Sequence, residues 1–157
     1  MGTAAFGTRL RRLSERLDRE VQAIYREAGV RFEPRWFAVF TALRDLGPLT
    51  VGELSQRLAI SHPAVSQVRA ALQREGLIDS LPDPADGRSH RLALSRQGEE
   101  TARRLEPLWA AINAATEQLL AEAAPGLLAD LDRFNQGLGA RGLRDRVEAA
   151  LKTGVSD

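Results

Sequence analysis

The side chains best suited to recognising another molecule fall in two short stretches, SHPAVSQVRAALQR at 61–74 and LPDPADGRSHRLALS at 81–95. In the first, Val65, Val68 and Leu72 recur at helical spacing and fix the buried side of a helix. The opposite side then carries Pro63, Ser66, Gln67, Ala70 and Arg74. These residues are small or donor-bearing, with no acid among them. Such a face fits the DNA major groove, where Gln pairs bidentately with adenine and Arg reaches guanine or a phosphate. Ser61 and His62 stand at the start of this helix, where backbone N–H groups favour a phosphate. In the second stretch, Asp86-Gly87 is a turn signal, Arg88 follows at the tip of a hairpin, and His90 and Arg91 lie just beyond. A protruding cation suits a narrow A·T-rich minor groove, where the negative potential is enhanced. Asp86 is the candidate to orient Arg88 or Arg91 through a charge-assisted hydrogen bond.

Other chemistries have less support. Ser61, His62 and Asp86 are the residue types of a hydrolytic triad, but triads are defined by geometry, and neighbouring Ser and His do not make one. No Gly-rich phosphate loop occurs, so no cofactor and no enzymatic activity are expected. The chain has no cysteine and two histidines, which excludes disulfides and thiol redox chemistry and argues against a metal site.

The net charge of +1 does not by itself announce a nucleic-acid binder. Within 61–91 four arginines (Arg69, Arg74, Arg88, Arg91) meet four acids (Glu75, Asp79, Asp83, Asp86). The DNA reading therefore depends on which side chains face outward. A module for protein–protein contact, without DNA binding, remains the alternative.

Several elements must position these stretches. Leu10, Leu13, Leu17, Val21 and Ile24 mark an amphipathic helix that Gly29 ends. A second helix begins near Pro34, carries Trp36, Phe37, Phe40, Leu43 and Leu46, and stops at Gly47-Pro48. Thr50 and Glu53 read as a capping box opening a short helix with Leu54 and Leu58 buried. Ala59-Ile60-Ser61 turns the chain, Ser61 caps the next helix, and Gly76 closes it. That is a helix-turn-helix. Leu92 and Leu94 then alternate with Arg91 and Ala93 as a half-buried strand.

Ser95 is another N-cap. A long helix follows with Leu105, Trp109 and Ile112, then one with Leu127, Leu131 and Phe134 after Pro125-Gly126, and a last one with Leu143 and Val147. The chain thus reads as one mainly α domain over 1–157. A winged helix-turn-helix lobe at 33–100 is flanked by dimerisation helices at 6–28 and 101–152. The outer helices carry more apolar residues than a lobe of this size needs, which favours a homodimer. Trp36, Phe37, Phe40 and Trp109 can either line a pocket for an aromatic ligand or pack as core, and their helical spacing favours core. No apolar run is long enough to span a membrane and the N-terminus has no apolar signal region, so a cytoplasmic protein is expected.

Residues 49–100, and within them DPADGR followed by LALSRQG, resemble the MarR family of bacterial regulators. That family's wing has the form Asp-x-Arg, followed by Leu-Ser/Thr-x-x-Gly at the junction of strand and helix. The resemblance implies a homodimeric, sequence-specific DNA-binding regulator joined through its terminal helices, bound to double-stranded DNA at a pseudo-palindromic operator. A repressor relieved by a small aromatic or phenolic ligand is the expected form. It implies Arg88 as the minor-groove arginine, with Gln67, Ser66 and Pro63 near bases. One position departs. Where family members often carry an acid on the recognition helix to hold the wing arginine, this chain has Ala70.

Overall fold

The computed structural model describes residues 5–83 and 90–153. Seven helices are formed among them: α1 (Phe6–Glu27), α2 (Phe37–Leu46), α3 (Val51–Leu58), α4 (His62–Arg74), α5 (Arg96–Ala123), α6 (Leu127–Ala140) and α7 (Leu143–Thr153). Three strands complete the fold: β1 (Leu49–Thr50), β2 (Ile78–Pro82) and β3 (His90–Leu94). This is the expected mainly α, winged helix-turn-helix architecture. The chain divides into two compact units, Met1–Leu108 and Trp109–Asp157, with the boundary inside α5. Pro107 lies beside that boundary and lacks the N–H that would bond to the preceding turn.

The first unit is built on a cluster of aromatic rings. Phe32 meets Tyr25, Trp36 and Phe40 edge-to-face at centroid distances of 5.3, 5.6 and 5.2 Å. That is the arrangement ring quadrupoles favour. Pro34 pre-sets a single 3-10 turn, Pro34–Trp36, which feeds α2. Leu54, Val65, Leu72, Leu92 and Leu105 are fully or almost fully buried and carry the core from the helix-turn-helix to the sheet and α5.

The sheet order is β1-β3-β2, all antiparallel, with Leu49 opposite Leu92 and Ile78 opposite Leu94. Leu92 is buried as expected, while Leu94 is half-buried. Sequence reasoning did not find β1. Its two residues are too short for a periodic signal, and Thr50 was accounted for as a cap. The hairpin turn assigned to Asp86-Gly87, and Arg88 with it, lies outside the described residues.

Where β3 passes into α5, the Leu-Ser-x-x-Gly pattern acquires a physical reason. Ser95 donates from its backbone N–H to the Leu77 carbonyl (3.0 Å) and from its hydroxyl to the Gly76 carbonyl (2.6 Å). Its Oγ also accepts from the Gly98 N–H at 3.0 Å, capping α5. This brings the helix so close to β2 that a Cβ at position 98 would lie 2.0 Å from the Leu77 oxygen. Only glycine fits there.

Candidate nucleic-acid interface

The helix-turn-helix is set by its caps. Thr50 Oγ1 accepts from the Glu53 N–H (3.1 Å), and Glu53 Oε2 accepts from the Thr50 N–H (2.7 Å). Both halves of the expected capping box are present. The Thr50 backbone N–H and the Arg91 guanidinium hold the Glu53 carboxyl below the ordinary carboxylate value. After α3, Ala59 adopts the left-handed region at φ 53°, closing the turn. Ser61 then caps α4 by accepting from the Ala64 N–H at 3.4 Å. The Ser61 hydroxyl is therefore part of the helix start.

Helix α4 buries Val65, Val68, Ala71 and Leu72. Ser61, His62, Pro63, Ser66, Gln67, Ala70 and Arg74 are all exposed, so the outward face contains the residues expected there. The imidazole of His62 leans over the start of α3, with Cε1 3.7 Å from where a Gly52 Cβ would stand. At the far end Gly76, at φ 70°, turns the chain into β2.

On the strands, His90 is exposed but Arg91 is not a free cation. Its Nε and Nη2 donate to the Pro48 carbonyl at 3.1 and 2.9 Å, and Nη2 also donates to Glu53 Oε2 at 3.2 Å. Its Nη1 lies 3.6 Å from Asp83 Oδ2. Asp83, only 8% exposed, is the acid at the wing root. The Arg91 guanidinium, expected at the DNA, thus has three partners within the lobe. Asp86, the expected support for the wing, lies outside the described residues. No sequence signal separated Asp83 from its neighbouring acid, and Glu53 was accounted for by its cap.

The residues suggested for an aromatic pocket have little exposed surface. Trp36, Phe40 and Trp109 are buried and Phe37 is half-buried. A cleft of about 390 Å³ lies instead between the end of α2, β3 and the start of α5. Leu43, Ala93, Leu94 and Ala102 supply its apolar wall, and Arg44, Glu99, Arg103 and Glu106 its charged rim. Arg44 forms a two-point ion pair with Asp45 (2.6 and 3.2 Å). That pairing pushes the Asp45 carboxyl below its ordinary value. Among the described residues no helix is long and apolar enough to cross a membrane.

Comparison with known proteins follows the same lines. The sequence profile of the MarR family matches residues 32–89. An uncharacterised HTH-type transcriptional regulator of Mycobacterium bovis is 32% identical over 103 residues, covering 60% of this chain and 72% of the relative. A MarR protein from Peptoclostridium difficile superposes with a TM-score of 0.70 at 15% identity, covering 92% of this chain and 94% of that one. BpsR of Bordetella bronchiseptica, whose DNA binding is regulated by 6-hydroxynicotinic acid, superposes with a TM-score of 0.62 at 23% identity, covering 85% and 91%.

Proposed function

The chain belongs to the MarR family of DNA-binding transcriptional regulators, and on that premise we propose that it is a homodimeric repressor of a pseudo-palindromic operator, released by a small aromatic ligand. The observation that carries the DNA reading is the outward face of α4. It is free of acids and presents Pro63, Ser66, Gln67 and Arg74 from a helix with a capped N-terminus. Ser61 and His62 lie where a backbone phosphate would sit, and Gln67 is the residue that reads a base. His90 adds an exposed donor at the wing root, and Arg88 is the minor-groove residue.

The homodimer is supported by the apolar seam of α1, where Phe6, Leu10, Leu13 and Leu17 are 39–49% exposed in the single chain. Helices α6 and α7 bury no residue in the single chain. Surfaces of this kind are covered in soluble proteins, most often by a symmetry-related copy. The cleft beside α5 is the candidate for the ligand. Its apolar wall suits a ring, and Arg103 on its rim suits an acidic substituent.

The test is binding of the full chain to fragments of its source genome across a salt series. The logarithm of affinity should fall linearly with the logarithm of salt as phosphate contacts release counterions. Gln67→Ala should relax preference at one base pair at a cost of about 1–3 kcal/mol. A salt-insensitive association, or unchanged base preference in the variant, would refute the assignment of this face.

A further inference from the structure

We propose that Arg91 is the positioning residue that aims the wing. It ties the strand pair β2–β3 to the helix-turn-helix and thereby sets how the wing meets DNA flanking the major-groove site. The inference rests on the DNA-binding reading above. Arg91 lies on the central strand, opposite Thr50 of β1 and Leu81 of β2. Its side chain reaches what backbone pairing leaves unfixed.

One planar guanidinium bridges three segments. Toward the start of β1 it holds the Pro48 carbonyl through two N–H groups. Toward α3 it holds Glu53, whose other contact closes the helix cap on the Thr50 N–H. Toward the wing it faces Asp83, the last described residue before the tip.

Two observations make this a clamp rather than a surface ion pair. The first is burial. Asp83 is 8% exposed, and a carboxylate so deep needs a cation close by. The second is the slightness of the sheet. Strand β1 pairs through two residues only, and a two-stranded hairpin alone is marginal in water. Backbone pairing therefore gives the wing little lateral support, and the Arg91 fork supplies it. A Lys ammonium is a point charge without the fork geometry that spans carbonyl and carboxylate together.

The test uses the full chain and a genomic duplex selected by the wild-type protein, made in two versions with A·T or G·C flanks. Wild type should prefer the A·T version by about tenfold, within the range of one good groove contact. Arg91→Gln and Asp83→Asn should each reduce that preference to about twofold or less, and the double variant should go no further, because both break one pair. Arg91→Lys should not restore it. The salt slope should be unchanged in all variants, whereas loss of a phosphate contact would lower it by about one.

Far-UV circular dichroism checks that the variants fold; if Arg91→Gln does not, Asp83→Asn carries the comparison. Four results would overturn the clamp: no flank preference in a wild-type protein that does bind, preference intact in the folded variants, rescue by Lys, or a slope reduced by one. A wild-type protein that binds no duplex at any salt would instead overturn the DNA-binding reading.

Discussion

Leucines at the same helical spacing meet opposite fates in two parts of this molecule. In the core of the first unit, Leu43, Leu54, Leu72 and Leu105 are at most 2% exposed. In α1 and in α6–α7, Leu13, Leu17, Leu128, Phe134, Leu143 and Leu151 are 45–66% exposed. Amphipathic pattern alone does not decide burial. It states that a face needs covering, and chain topology decides whether the same chain can cover it. The lobe closes on itself because a ring cluster, a capped helix pair and a three-stranded sheet converge within about a hundred residues, enough for a core of their own. The seams of α1, α6 and α7 are left uncovered within the single chain, and the proposed dimer is what would cover them.

The sharpest way to break this contrast is to remove volume from the closed side. Phe40→Ala should cost about 3–5 kcal/mol of unfolding free energy in urea, because a fully buried ring in contact with Phe32 leaves a cavity. Gly98→Ala should cost about 1–3 kcal/mol, since the added methyl meets a backbone oxygen that can move only by parting α5 from β2. On the open side the outcome should reverse. Leu13→Ser should change the stability of the single folded chain by less than about 0.5 kcal/mol. It should nevertheless shift the monomer–dimer equilibrium in sedimentation; an unmoved equilibrium would place the dimer seam elsewhere.

The smallest effect concerns pH. The Glu53 carboxyl titrates below its ordinary value in the folded chain, so its contribution is fully present above the unfolded value of 4.5. It is lost as pH falls through the folded value. Thermal melts should lose stability below that point by less in Glu53→Gln than in wild type, and identical acid limbs would remove Glu53 from the account.

Much of this was legible because it is local. The Thr50–Glu53 box, the Ser61 cap, the glycine stops and the face of α4 are all set within one or two turns of sequence. The wing support was not, because Arg91 meets Pro48 and Glu53 across 43 and 38 residues. Among closely spaced acids, only burial singles out Asp83. The helical spacing of Trp36 and Phe40 favours core over pocket, but Phe32, the ring that meets both, stands outside that spacing and carries no signal of its own.

The small sheet has two edges, and both are poor templates. One is β1, two residues long; the other is β2, which ends in Pro82 and carries the exposed Asp79. A strand from another molecule finds few free donors and acceptors on either side, and proline offers no N–H at all. For the proposed helix-paired dimer, a second adhesive surface would be a hazard, and blunt sheet edges protect against uncontrolled strand addition.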